Sequence, residues 1–243
     1  MELLSEFINT ERERFSVRHN NLFAFSFSQI SRYYEFLKII QERYHKVSAS
    51  FIENTKAQQA TFQSGTHTMT DEQMAILNKG RGITTILHLE IESYFLFAKI
   101  LLDKVARAIE FYFGQARNLS LDSYDDLTKK FGNYISTKQL TVLSSDLNEL
   151  MKSLKECVSD YRDKEITHEK SSRTMKATMF SYGANSTVWV ASTKIYPTEK
   201  DKQVESKEID EVMNLIDKYI SEIVKYIQKN KEKTNLEIAN ITS

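Results

Sequence analysis

One short segment of the chain, from Tyr161 to Lys170, concentrates ionisable side chains directly after a run of core-type residues. It contains Arg162 and His168, with five residues between them. Histidine has an ordinary pKa close to neutrality, so it can take up and release protons under physiological conditions. Arginine is always charged and offers a planar set of donors to two phosphate oxygens at once. These two residue types together favour acid–base chemistry on a phosphate ester.

The segment resembles the Arg–x(4–6)–His motif of HEPN-family proteins, including a polar residue, Asp163, directly after the arginine. The stretch from Leu101 to Ala106 also resembles helices of HEPN-like bacterial proteins. The resemblance implies a helical homodimer in which two copies of the motif line one cleft. It further implies RNA binding or metal-independent cleavage of RNA, in a defence or toxin-type component. The chain departs from the family at Asp163, because asparagine is frequent at that position.

The chemistry that these residues would perform is transesterification of RNA, in which the 2′-hydroxyl attacks the adjacent phosphate. His168 would be the acid or base, and Arg162 would bind the phosphate oxygens that gain charge. Asp163 would orient one or the other. Lys+Arg and Asp+Glu both number 33, which argues against non-specific binding of nucleic acid by one chain. A dimer would combine two copies of Arg162, Lys164 and Lys170 into one basic patch.

The spacing itself is not specific, because Arg14 with His19 and Arg81 with His88 match it as well. His88 is expected in the core of an apolar helix, whereas Arg14 and His19 lie in a polar N-terminal stretch. The pair that begins at Arg162 differs in following a strong amphipathic helix. An arginine and lysines at a helix end also favour the helix dipole, so the alternative is a solvated helix end. In that case the chain is a non-catalytic helical dimerisation or interaction module with a protein partner.

No metal site and no cofactor are predicted. The five histidines and the single cysteine, Cys157, do not have the spacing of a known metal motif, and Cys157 is expected to be a buried structural thiol. The N-terminus lacks the order of a signal peptide, and the most apolar run, Tyr94–Leu102, is too short to span a bilayer. We therefore expect a cytoplasmic protein without a membrane partner.

The scarcity of Gly and Pro, 6 and 1 residues, favours long helices. Apolar residues at helical spacing predict helices over about 23–62, 71–113, 140–162 and 206–229. A polar helix or arm precedes them in 1–20, and 114–138 is an irregular connection with a short helix at 124–131. Thr70 is a candidate N-cap, while Gly80 and Gly82 favour a bend or break. Phe23, Phe25 and Phe27 are expected as core anchors.

The hydrophobic period changes from 3.6 to 2 near residue 175, which predicts a β-hairpin over about 175–196. The expected fold is mostly α, a bundle of five or six helices with this hairpin, in a single domain of residues 1–243. A C-terminal tail of about 230–243 is expected to be disordered.

The helix predicted at 83–113 is apolar on most sides, which favours a homodimer. Its polar residues Lys99, Asp103 and Arg107 are four apart and form a ladder along one side. Two interpretations of this ladder are open: a solvated stripe, or a polar surface that faces another chain.

Overall fold

Two very long antiparallel helices form the frame of this computed structural model. It describes residues 1–61, 68–160, 162 and 209–239, together with the backbone of 176–182 and 186–192. Helix α1 (Glu2–Arg12) leads into α2 (Val17–Thr61), which packs along α3 (Asp71–Phe113). The chain continues through α4 (Tyr124–Lys138) and α5 (Ser145–Leu154), and α6 (Ile209–Lys229) completes the helices. The predicted mostly helical bundle is confirmed.

Helix α3 begins and ends where predicted. Side-chain capping contacts define its start, and a glycine in a positive-φ conformation follows its last residue. The Thr70 hydroxyl accepts the amide of Gln73, and the Gln73 side chain accepts the amide of Thr70. At the other end Gly114 takes a φ of 79°, a conformation that favours glycine. The expected break at Gly80 is wrong. A Cβ there would lie 2.6 Å from the Asn54 side chain, so the glycine serves close packing of α2 on α3.

Helices α4 and α5 differ in length from the predictions. The hydroxyl of Ser123 accepts the amide of Asp126 and starts α4, which runs on to Lys138 instead of ending near 131. The helix predicted from Leu140 begins only at Ser145, because the Ser144 hydroxyl caps it. Beyond Leu154 the helix continues as a π-helix over Lys155–Asp160.

Of the predicted hairpin at 175–196, only the backbone of residues 176–182 and 186–192 is described. Backbone pairing is described between β1 (Lys176–Tyr182) and β2 (Ser186–Ser192), which run antiparallel with Phe180 opposite Val188. How a hairpin here packs on the helices stays a prediction.

The C-terminal segment is packed up to residue 239, which corrects the disordered tail expected from about 230. A 3₁₀ turn at Lys231–Lys233 follows α6, and Leu236 is buried. The amide of Asn235 donates to the Tyr112 carbonyl at 2.9 Å, and Ile238 forms a β-bridge with Phe15. These contacts satisfy backbone groups that a frayed end would leave to water.

The N-terminal stretch is a core element and not a polar arm. Leu4 and Phe7 of α1 are buried, and the Phe7 ring packs edge-on against Phe23 and Phe27 of α2. Phe25 was expected beside them, but it is 67% exposed because α2 is already helical there and its neighbours at two-residue spacing point elsewhere. Among the described helices, none is long and apolar enough to cross a membrane.

Candidate functional site

Arg162 lies at the end of a helix that is anchored in the core. Leu147 and Leu154 of α5 are buried, and so are Val158 and Ser159 in the π-helical continuation. Arg162 follows two residues after that segment and is partly buried. π-Helical turns are rare and occur often at functional sites. The core therefore fixes where the backbone at Arg162 lies.

The other two residues of the predicted site, Asp163 and His168, lie outside the described residues. Their roles as orienting group and acid–base group stay predictions, as does their proximity to Arg162.

The buried side chain of Tyr94 lies close to both Cys157 and the start of α6. Tyr94 of α3 donates its hydroxyl to the carbonyl of Ile209, the first residue of α6, at 3.2 Å. Burial raises the pKa of Tyr94, and the nearby thiol of Cys157 and carboxylate of Asp210 raise it further. Cys157, which precedes Arg162 by five residues in the sequence, and the start of α6 therefore both lie near Tyr94, in the middle of α3.

The first turn of α6 carries an ionisable pair that the sequence did not predict. His45 Nε2 lies 2.9 Å from Asp210 Oδ1, which also accepts a hydrogen bond of 2.6 Å from the Gln41 amide. Both partners of the His45–Asp210 pair are about half exposed. No sequence signal marks the pair, because 165 positions separate its members and only the packing of α6 on α2 joins them.

The pair Arg14 and His19 has a structural role. Arg14 forms ion pairs with Glu11 and, at 3.2 Å, with Glu232. The Nδ1 atom of His19 accepts the amide of Glu237 at 3.2 Å. These contacts hold the C-terminal segment against the start of α2, which explains the pair without catalysis.

The structure describes no contact between the side chains of Arg81 and His88. Arg81 is exposed on the first part of α3, and His88 is partly buried. The expectation of a core histidine at 88 is therefore only partly met, since α3 is less enclosed here than its apolar sequence suggested.

The polar ladder on α3 is neither a solvated stripe nor a surface that faces another chain. Lys99 is 3% exposed and its Nζ atom lies 2.7 Å from Asp103 and 3.1 Å from Asp125. Asp103 also accepts the amide of Tyr124 at 2.7 Å, and Arg107 donates to the Asp122 carbonyl at 2.9 Å. The ladder therefore joins α3 to the start of α4. The charges of Lys99 and Asp103 are matched within the chain, and Arg107 is exposed but hydrogen-bonded to the same segment, so the ladder has a structural role.

Within residues 1–61, 68–160, 162 and 209–239, no group of three or more His, Cys, Asp and Glu side chains could hold a metal ion. Cys157, expected to be buried, is partly exposed, and its thiol contacts the Leu154 carbonyl at 3.9 Å. Comparisons with protein-family models, with curated proteins and with solved structures each found no match. Function is therefore inferred from this chain's own residues.

Proposed function

We propose that this protein is a HEPN-like RNA-binding protein that acts as a homodimer and cleaves RNA without a metal ion. The observation that carries the proposal is the position of Arg162, held by a buried helix at the head of the Arg–x(5)–His segment. A catalytic arginine needs a fixed backbone, because its guanidinium must meet the phosphate oxygens in one geometry.

In the proposed reaction His168 takes the proton of the 2′-hydroxyl, and the 2′-oxygen attacks phosphorus. The bond from phosphorus to the 5′-oxygen breaks, and that oxygen receives a proton from the second His168 of the dimer. Arg162 binds the non-bridging oxygens as their charge grows. The products are a 2′,3′-cyclic phosphate and a 5′-hydroxyl, and Asp163 positions one of the two catalytic side chains.

Two basic residues in the middle of α2 support RNA binding in spite of the zero net charge. Arg43 and Lys46 of α2 flank His45, and Arg43 is 58% exposed. The Arg43 guanidinium forms an ion pair of 2.6 Å with the carboxylate of Glu90 on α3. Local basic residues of this kind can provide phosphate contacts that the whole-chain charge conceals.

The test is RNA cleavage by single variants. His168→Ala and Arg162→Ala should each abolish cleavage of single-stranded RNA and leave thermal unfolding unchanged within about 0.5 kcal/mol, as for most surface substitutions. Arg81→Ala and His88→Ala are the matched controls, because they have a similar spacing on α3 and should keep full activity. Wild-type protein without cleavage, or cleavage that persists in His168→Ala, contradicts the proposal.

The second candidate is a non-catalytic helical interaction module. It is favoured by the large apolar side chains that α3 exposes, among them Leu89 at 56% and Ile86 at 47%. Exposed apolar patches of this kind mark interaction sites more often than catalytic ones. An inactive wild-type protein that still self-associates would favour this candidate.

A further inference from the structure

The middle of α3 exposes a stripe of large aliphatic side chains. Ile86 and Leu89 are 47% and 56% exposed, and Leu96 and Ile100 are 38% and 36% exposed. The steps between them are three, seven and four residues, so all four lie on one side of the helix. We call this side, with Ser93 in its middle, the α3 face. The opposite side of α3 is filled by core residues such as Leu87, Ile91 and Leu101.

The α3 face is nearly symmetrical about Ser93. Ile86 and Ile100 lie seven residues before and after Ser93, and Leu89 and Leu96 lie four before and three after. When two identical helices pair antiparallel about a two-fold axis, a residue before the axis meets the residue equally far beyond it in the other copy. With the axis at Ser93, Ile86 of one copy meets Ile100 of the other, while Leu89 and Leu96 lie within one residue, about 1.5 Å along the helix, of facing each other.

We infer that the α3 face pairs antiparallel with the α3 face of a second copy of this chain, with Ser93 at the two-fold axis. The inference concerns self-association through α3 alone, and it requires neither RNA cleavage nor a particular position of the Arg162 segment in the pair. The occupant is a second copy because an isologous contact demands a surface that is complementary to itself, and the order of side chains on α3 meets that demand. A partner of different sequence would not require the order of side chains on α3 to be symmetrical.

The dimensions suit a helix pair. The stripe covers 14 residue steps, which is about 21 Å or four turns of helix. The short side chain of Ser93 lies where the two helices would be closest, and this permits an interaxial distance of about 8–10 Å. The three- and four-residue steps are the spacing by which apolar side chains of one helix enter the spaces of another.

The surface beside the stripe extends the contact area. Phe36 of α2 packs edge-on against Phe97 of α3 at 5.7 Å, and Tyr33 lies 6.1 Å from the same ring. All three rings are partly exposed, and Ile39, further along α2, is 53% exposed. These side chains of α2 add apolar surface at one edge of the α3 face. Aromatic residues are also enriched at protein interfaces.

The first test is disulfide cross-linking in a Cys157→Ser background, under mild oxidation and without RNA. Ser93→Cys should form a covalent dimer on its own, because the axis brings the two copies of that position together. Ile86→Cys and Ile100→Cys should cross-link when the two variant proteins are mixed, and neither should do so alone. Val142→Cys is the control, since Val142 is 85% exposed away from α3 and should stay monomeric on denaturing gels.

The second test uses the native cysteine, so that a folding defect of the Cys157→Ser background cannot decide the result. Leu89→Glu should raise the dissociation constant of the dimer by about 100-fold or more, because each copy brings a carboxylate into a water-excluded contact. Val142→Glu should leave it unchanged. Sedimentation equilibrium measures both.

Four results overturn the inference: a monomeric wild type, a Leu89→Glu variant that dimerises normally, no cross-link at position 93, or a cross-link of Ile86→Cys with itself. The last indicates a parallel pair. None of these measurements involves RNA. A result against pairing through the α3 face can therefore be distinguished from a result against RNA cleavage.

Discussion

At the scale of single residues, Lys99 shows how the surroundings of a charged group decide its role. Its ammonium group is buried, and two carboxylates lie within 3.1 Å of it. A buried charge is tolerated only when it is paired, and Asp103 and Asp125 serve as the partners. The same two carboxylates lie near the start of α4, where they also suit the positive end of that helix.

We therefore expect Lys99→Met to lower the free energy of unfolding by about 3 kcal/mol, because it leaves two partly buried carboxylates without their cation. Lys130→Met is the matched control. Lys130 lies 2.7 Å from Asp126, and its side chain is 38% exposed against 3% for Lys99, so its loss should cost under about 1 kcal/mol. Urea unfolding at neutral pH measures both, and equal effects of the two substitutions would contradict this account of Lys99.

At the scale of elements, α3 depends on the chemistry of its first turn. Thr70 and Gln73 satisfy each other's backbone amides, and the Gln73 side chain also donates to the carbonyl of Thr61, the last residue of α2. One glutamine thus links the end of α2 to the start of α3.

Thr70→Ala should lower the free energy of unfolding by about 1 kcal/mol, because the first turn of α3 loses its side-chain acceptor. Thr70→Ser should retain nearly all of the stability, since a hydroxyl remains. Thr85→Ala, in the exposed interior of the same helix, should change stability by under about 0.5 kcal/mol. Chemical denaturation tests all three variants, and a neutral Thr70→Ala would show that the capping contacts contribute little.

The sequence is sufficient to predict α3 because its signals are local: a cap at Thr70, apolar periodicity, and Gly114 at the end. It misleads where the deciding contacts are distant. Phe25 is apolar yet exposed, and Leu236 is buried in a segment that looks polar. For the site, the position of Arg162 at a helix end follows from core spacing. The His45–Asp210 pair does not, because it exists only once α6 packs on α2.

At the scale of the whole molecule, the core is one continuous cluster that includes residues of all six described helices. Tyrosines are its largest fully buried side chains, among them Tyr94, Tyr124 and Tyr219. Burial raises the pKa of each of these three far above its usual range. In the folded protein they therefore stay neutral in solutions that would ionise an exposed tyrosine.

This predicts a steep loss of stability in alkali. In the unfolded chain a tyrosine has a pKa of about 10, whereas the folded values are higher, so the stabilisation is complete below pH 10 and is lost as pH rises above it. Each of the three tyrosines should contribute a slope of up to about 1.4 kcal/mol per pH unit. Urea unfolding from pH 8 to 11 measures the slope, and Tyr219→Phe should reduce it. A stability that is flat across this range would contradict the prediction.

The measurement that tests the central claim most directly is product analysis of RNA incubated with the wild-type protein in the presence of a metal chelator. The account predicts cleavage that the chelator does not reduce and products that end in a 2′,3′-cyclic phosphate. A substrate with a single 2′-deoxy nucleotide should resist cleavage at that position, because the attacking hydroxyl is missing there. Cleavage that the chelator abolishes, products that end in a 3′-hydroxyl, or no cleavage at all would contradict the account.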